Sequence, residues 1–82
     1  MFTMYTLPSC MQCKATARKF EKVGASYEVV DLSDNDEARN AVRDMGYAGA
    51  PVVVAPSGEH WSGFRPERID EEVSAALSER AV

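Results

Sequence analysis

Residues 2–13 read FTMYTLPSCMQC, a stretch that predicts a strand, a turn and the start of a helix. Its first part, Phe2–Thr6, is rich in β-branched and aromatic residues and stops at Leu7-Pro8-Ser9, as a strand does before a turn. From Met11 to about Val23, apolar residues recur at helical spacing. Gly24 then stands where a glycine commonly ends a helix. The two cysteines, at positions 10 and 13, therefore lie at the junction of the first strand and the first helix.

A second strand and a second helix are predicted next along the chain. Residues 26–31 (SYEVVD) contain β-branched and aromatic residues and predict a strand. Ser33 and Asp34 are candidate N-caps of a second helix, with Glu37 in its first turn, and Gly46 ends that helix. The apolar stripe of the helix follows the i, i+3, i+4, i+7 pattern and consists of Ala38, Ala41, Val42 and Met45.

The second half of the chain predicts a hairpin and a last helix. Pro51 opens the continuous apolar run 52–55, which predicts a buried strand that begins with proline. The turn Pro56-Ser57-Gly58 leads to a short returning strand at residues 59–62. Pro66 fits the first position of the last helix. One side of that helix carries the apolar residues Ile69, Val73, Ala76 and Leu77.

The predicted order is β-α-β-α-β-β-α, in a single domain over residues 1–82. A strand–helix–strand start implies a parallel pair with a right-handed crossover. The two strands near the end are close enough in sequence to form an antiparallel hairpin. We therefore expect an α/β fold with a four-stranded mixed sheet flanked by helices.

Composition and charge exclude several classes of function. The formal net charge of −4 argues against non-specific binding of nucleic acid or anionic membranes, which need a basic surface. No apolar run approaches the roughly 18 residues that cross a bilayer, and the N-terminal residues do not have the pattern of a signal peptide. We expect a monomer in the reducing cytoplasm. Two cysteines separated by two residues in that compartment indicate redox chemistry rather than a disulfide framework.

The positions of Cys10 and Cys13 predict different roles for the two thiols. At a helix N-terminus, the unpaired backbone N–H groups and the positive end of the helix dipole favour a thiolate, which is the species that attacks disulfides. Cys10 is nearer the helix end and solvent, so we predict that it is the nucleophile. Cys13, one turn inside, is the predicted resolving thiol that releases the mixed disulfide.

Other uses of the same cysteines stay open at this point. A zinc site normally needs four ligands, and the chain offers only these two cysteines and a single distant histidine, His60. A purely structural disulfide and a metal site shared between two chains are the remaining alternatives. We expect no resident metal.

Three segments together resemble a known family: residues 6–13, Ala50-Pro51-Val52 and Trp61-Ser62-Gly63-Phe64-Arg65-Pro66. They are similar to the NrdH-redoxins, which are glutaredoxin-like proteins of the thioredoxin-fold superfamily. The Cys-x-x-Cys motif alone would indicate only the superfamily, and the run at 61–66 makes the resemblance specific. It covers the chain except its last several residues.

The resemblance implies a thioredoxin/glutaredoxin-like fold and a dithiol electron carrier. Such proteins donate electrons to class Ib ribonucleotide reductase, through its large subunit, and are reduced by thioredoxin reductase with NADPH. The redox-active disulfide Cys10–Cys13 takes the place of a cofactor. The resemblance also makes Pro51 a cis-proline facing the cysteines, although the sequence is equally compatible with trans. A cis bond would expose the Ala50 backbone to an incoming substrate segment.

The run at 61–66 has two interpretations. Trp61 could cover the core while Gly63 and Pro66 make the turn into the last helix. In the family, the tryptophan, serine and arginine of this run form a hydrogen-bond network near the surface that binds the reductase. The residues we assign to substrate or partner binding are Met11, Gln12, Ala50, Pro51, Trp61, Ser62, Gly63, Phe64, Arg65 and Arg68.

Two features argue against glutathione as the reductant. Leu7 stands where family members often carry a basic residue and where glutaredoxins bind the glutathione carboxylate. A bulky aromatic and an arginine also replace the small Gly-Gly loop expected to cradle the tripeptide. A glutathione-dependent glutaredoxin remains the main alternative function, ahead of a thiol metal-binding or scaffold protein.

Lys14, Arg18 and Lys22 are spaced four residues apart and form a basic line along the first helix. Such a line is commonly a solvated face. The alternative is an electrostatic contact with an acidic partner, since the line begins beside the cysteines.

Overall fold

The backbone follows the predicted order β-α-β-α-β-β-α. A computed structural model describes the backbone of residues 1–80 and the side chains of residues 1–75. A 3₁₀ turn at Leu32–Asp34 joins the second strand to the second helix. In chain order the elements are β1 (Phe2–Thr6), α1 (Met11–Val23), β2 (Tyr27–Asp31), α2 (Asp36–Asp44), β3 (Val52–Val54), β4 (His60–Ser62) and α3 (Pro66–Arg80).

The four strands form one mixed sheet in the order β2-β1-β3-β4. β1 and β2 are parallel, so α1 is the crossover between two neighbouring strands. β3 runs antiparallel to both of its neighbours, with Val53 opposite Met4 of β1 and Trp61 of β4. This is the thioredoxin/glutaredoxin fold, and the predicted mixed sheet is confirmed.

The sheet buries a separate apolar cluster on each face, because successive side chains of a strand point to opposite faces. Val53 packs on one face with Phe20 of α1 and Ile69 of α3. Val52 packs on the other face with Val42 of α2. Val52 and Val53 are both fully buried. The continuous apolar run that predicted β3 is explained by this coverage of both faces.

The predicted N-cap of α2 is wrong. The capping residue is Asn35, whose side-chain oxygen accepts a hydrogen bond from the Ala38 backbone N–H at 2.9 Å. Ser33 and Asp34 belong instead to the 3₁₀ turn. Asp31 caps that turn, since its carboxylate accepts hydrogen bonds from the Ser33 backbone N–H at 2.8 Å and hydroxyl at 2.6 Å.

The other boundaries differ from prediction by one residue at most. β2 and β4 each begin one residue later than predicted, and β3 ends one residue earlier. Gly24 ends α1 in the left-handed conformation at φ 71°, and Gly46 follows α2 at φ 94°. The side chains of Ala76 and Leu77, and the last two residues of the predicted domain, lie outside the described part of the chain.

Candidate active site

Cys10 is the N-cap residue of α1, and Cys13 lies one turn inside that helix. A disulfide joins them, with their Cα atoms 5.2 Å apart. The Cys13 backbone N–H donates a hydrogen bond to Cys10 Sγ at 3.1 Å. Cys13 is only 3% exposed, whereas Cys10 is half-buried. An incoming disulfide can therefore contact the sulfur of Cys10 more readily than that of Cys13.

The surroundings of Cys10 favour a negative charge on its sulfur. A capping side chain accepts hydrogen from the first turn of a helix, and such a bond strengthens when the acceptor is ionised. Lys14 lines, with both cysteines, a shallow cavity of about 270 Å³. Among the described residues that line this cavity, Lys14 carries the one positively charged side chain. Lys14 is the first residue of the predicted basic line, and it supplies positive charge near the cysteines from the helix rather than from the Leu7 side.

The turn before the cysteines has an uncommon backbone conformation at Ser9. Its φ of 60° lies in the left-handed region, which costs a non-glycine residue roughly 1–2 kcal/mol. Leu7, in the same turn, is 38% exposed. The sequence carried no signal for the Ser9 conformation, because left-handed turn positions are commonly marked by glycine or asparagine.

Pro51 follows a cis peptide bond, as the family resemblance implied. Its ring is buried, and its carbonyl oxygen accepts a hydrogen bond from the Gly63 backbone N–H at 2.8 Å. Ala50, two residues before β3, is half-buried. The proline is thereby tied to the loop between β4 and α3.

Gln12 connects the cysteine motif to the same loop. Its side-chain oxygen accepts a hydrogen bond from the Phe64 backbone N–H at 3.2 Å. Gly63, at φ 86°, lies so close that an added Cβ would be 3.3 Å from this oxygen. Thr16 supports the helix beside it, donating its hydroxyl hydrogen to the Gln12 carbonyl at 2.8 Å while fully buried. The motif, the cis-proline and the loop thus form one connected unit.

Trp61 belongs to the core. It is 5% exposed and packs in the cluster that contains Phe20 and Ile69. Its indole Nε1 has no hydrogen-bond partner among the described residues. Arg65 Nε donates to the Ser62 carbonyl at 3.2 Å. Among the described residues, the expected network is therefore present between Arg65 and the Ser62 backbone, and the Trp61 indole takes no part in it.

Of the remaining residues assigned to binding, some are exposed to solvent and one, Arg68, contacts other side chains of the domain. Met11 is 73% exposed and Phe64 39% exposed, and Arg65 is also exposed. Arg68 instead lies over the Trp61 ring at 5.2 Å from its centroid. It also contacts the carboxylates of Glu59 and Glu71 at 4.0 and 3.3 Å. The Arg68 side chain is thus largely engaged within the domain.

Comparison with known proteins agrees with this geometry. The sequence profile of the glutaredoxin family matches residues 2–61. The glutaredoxin-like protein NrdH of Escherichia coli K12 is 41% identical over 68 residues, which are 83% of each chain. The chain belongs to the NrdH-redoxins of the glutaredoxin family. It is a thiol–disulfide oxidoreductase of that family, with Cys10 and Cys13 as its disulfide-capable pair.

Further relatives and structures extend the family comparison. The gene 56 protein of mycobacteriophage D29 is 37% identical over 70 residues, covering 84% of this chain and 78% of the phage protein. The solved structure of NrdH-redoxin from Escherichia coli superposes with a TM-score of 0.80 at 40% identity, covering 85% of this chain and 91% of that one. That NrdH-redoxin is described as having a thioredoxin-like activity profile.

The described residues contain neither a membrane-spanning helix nor a cluster of metal-ligating side chains. None of the helices is long and apolar enough to span a membrane. Within the same part of the chain, no three or more histidine, cysteine, aspartate and glutamate side chains are grouped as metal ligands would be.

Proposed function

We propose that this NrdH-redoxin carries electrons from thioredoxin reductase to class Ib ribonucleotide reductase. The observation that carries the proposal is the connected unit of motif, cis-proline and loop, in which Gln12 of the motif holds the backbone of Phe64 by a hydrogen bond. An exposed aromatic side chain on a fixed backbone is suited to packing against the surface of a partner protein. It is unlike the small, donor-rich loop that would cradle glutathione. The proposed electron route runs in the reducing cytoplasm, with the chain acting as a monomer.

The proposed reaction begins from the dithiol form. The Cys10 thiolate attacks one sulfur of the substrate disulfide, which forms a mixed disulfide and releases the first substrate thiolate. Cys13, as a thiolate, then attacks Cys10 Sγ, which closes the Cys10–Cys13 disulfide and releases the second substrate thiolate. The substrate gains two electrons and two protons, and the redoxin loses the same. Thioredoxin reductase returns them by the reverse exchange, with NADPH as the source.

The arrangement of the two sulfurs supports this order of attack. The half-buried Cys10 is accessible to a substrate, and its sulfur already accepts the N–H of Cys13. Burial of Cys13 protects it from external disulfides. Because Cys13 lies on the first turn of the same helix, the resolving step needs no movement between elements. The cis-proline segment at Ala50 is the proposed contact for the substrate backbone.

Two recycling systems test the proposal. The oxidised protein is mixed with NADPH and thioredoxin reductase, or with glutathione, glutathione reductase and NADPH, and reduction of a protein disulfide is followed by NADPH consumption. We expect turnover with the first system and little with the second. Faster recycling by glutathione would make the protein a glutathione-dependent glutaredoxin. The donor role is then tested with the class Ib reductase, whose deoxyribonucleotide output should depend on Cys10.

A thiol metal-binding or scaffold protein is the other candidate function from the sequence. It predicts bound zinc, or an iron–sulfur absorption band, in protein purified under reducing conditions. Colourless, metal-free protein with two titratable thiols would remove this candidate.

A further inference from the structure

Positive charge is concentrated on α1. Four of the nine basic residues of this acidic chain lie on that helix, against a single acidic residue there, Glu21. Lys19 is paired with Asp70 of α3 at 2.9 Å. Lys14, Arg18 and Lys22 are exposed, and no carboxylate among the side chains of residues 1–75 forms an ion pair with them. The helix that bears the reactive cysteines is therefore a cationic surface on an anionic protein.

A groove runs between this surface and the start of α3. Its volume is about 390 Å³, and Phe64 and Pro66 form its apolar side. Arg18, Lys19 and Lys22 form its basic side, with Ala15 between them and the cysteine motif. A ligand that fits such a groove carries an apolar side chain and negative charge together.

The groove is linked to the cysteine motif through Phe64. The backbone of Phe64 is held by Gln12, which lies between the two cysteines in sequence. At a rise of about 1.5 Å per residue, Arg18 and Lys22 lie roughly 12 and 18 Å along the helix from Cys10. An extended chain covers that span in about four to six residues, at about 3.3 Å per residue.

We propose that the face formed by Arg18, Lys22 and Phe64 docks an acidic polypeptide segment that flanks the substrate disulfide. The substrate cysteine sits on Cys10, an apolar side chain packs on Phe64, and acidic residues about four to six positions away meet Arg18 and Lys22. This inference rests on the proposed function and specifies the kind of substrate segment that the protein recognises. It concerns recognition only, since the disulfide exchange itself remains with Cys10 and Cys13.

Single-turnover reduction of synthetic peptides tests the docking face. Two peptides share a disulfide and a leucine, and one continues with glutamates about four to six residues away where the other has glutamines. The protein is reduced beforehand and freed of reductant, so that no reductase is present. We expect the glutamate peptide to react about tenfold faster at low salt, because charge complementarity raises association rates. The advantage should disappear at about 0.5 M salt, where the Debye length is only a few ångströms.

Charge-reversal variants test whether Arg18 and Lys22 are the source of the preference for the glutamate peptide. The double variant Arg18→Glu/Lys22→Glu should lose the preference for the glutamate peptide, while it reduces the uncharged bis(2-hydroxyethyl) disulfide at the wild-type rate. The charge-conserving Arg18→Lys/Lys22→Arg should keep the preference. Arg43→Glu reverses one charge in α2, on the other side of the sheet, and should keep the preference, whereas the single reversal Arg18→Glu should weaken it. If reversal impairs folding by circular dichroism, Arg18→Gln/Lys22→Gln replaces it.

Several outcomes would overturn the proposal. An equal rate for both peptides would contradict it, and so would a preference for the glutamate peptide that survives in the reversed variant. An equal loss of that preference in Arg43→Glu would indicate an effect of net charge alone. Competition by single-stranded oligothymidine as strong as by the glutamate peptide would indicate a general polyanion surface. Because the assay contains no thioredoxin reductase, a failure of recycling by that enzyme leaves these results interpretable.

Discussion

The side-chain oxygen of Gln12 accepts a hydrogen bond from the backbone N–H of Phe64, at 3.2 Å across 52 positions of sequence. This bond joins the cysteine motif on α1 to the loop that precedes α3. The neighbouring Gly63 N–H donates to the Pro51 carbonyl at 2.8 Å, so the same loop is also fixed to the cis-proline. The groups that perform the exchange and those proposed to choose its partners are therefore held in one geometry.

Replacing Gln12 by alanine removes this connection. We expect Gln12→Ala to lower the free energy of unfolding by about 0.5–1 kcal/mol, the net contribution of one partly exposed hydrogen bond. Urea unfolding measures the effect as a shift of the midpoint at unchanged slope. Met11→Ala is the matched control, since Met11 is the neighbouring residue and is 73% exposed. Equal midpoints for the two variants would show that the Gln12–Phe64 bond contributes nothing to stability.

Gly63→Ala tests the close approach of the loop to Gln12. At φ 86° an alanine is strained by roughly 1–2 kcal/mol, and its Cβ would lie 3.3 Å from the Gln12 side-chain oxygen. We expect destabilisation of about that size by urea unfolding. The control is Gly49→Ala, whose added Cβ would meet nothing within 4 Å. Adding Gln12→Ala should make the combined loss smaller than the sum of the single losses, because the crowding oxygen is then absent. Strict additivity would argue against the contact.

Asp31 makes a contribution to stability that depends on pH. Hydrogen bonds from the Ser33 hydroxyl and backbone N–H hold the pKa of the Asp31 carboxyl below its usual value of 3.8. Folding therefore favours the carboxylate. Its contribution is complete above about pH 3.8 and is lost as the pH falls through the lower pKa of the folded state.

The variant Asp31→Ala should therefore be less stable than the wild type at neutral pH, with a difference that shrinks as the pH falls below 3.8. Thermal unfolding across this range measures the difference. Ser33→Ala, which keeps only the backbone donor, should show the same trend with smaller size. A difference that does not vary with pH would contradict the assignment of the hydrogen bonds.

Local signals in the sequence were sufficient for the architecture near the cysteines. The predicted bounds of β1 and α1 match the structure because Pro8 and Gly24 mark the ends of both elements within a few residues. The cap of α2 was not predictable in the same way. Asn35 follows Ser33 and Asp34, so several good capping residues stand in a row, and only the 3₁₀ turn held by Asp31 decides between them.

The candidate site was predictable in its chemistry and less so in its connections. Two cysteines at a helix start define the exchange reaction, because the motif is contained in one turn. The Gln12–Phe64 bond joins residues far apart in sequence, so no local pattern indicates it. Trp61 shows the same limit. Its place in the core depends on how α3 packs, and so does the lack of a hydrogen-bond partner for its indole N–H among the described residues.

Trapping of mixed disulfides tests the division of roles between Cys10 and Cys13 most directly. The variant Cys13→Ser is reduced, mixed with a disulfide-bonded protein substrate, and examined by non-reducing electrophoresis and peptide mass spectrometry. We expect a stable mixed disulfide through Cys10, because the resolving thiol is absent. Cys10→Ser, the matched control, should trap none, since the remaining thiol is buried. A mixed disulfide formed through Cys13 in the control, with none in Cys13→Ser, would reverse the two roles and contradict the account.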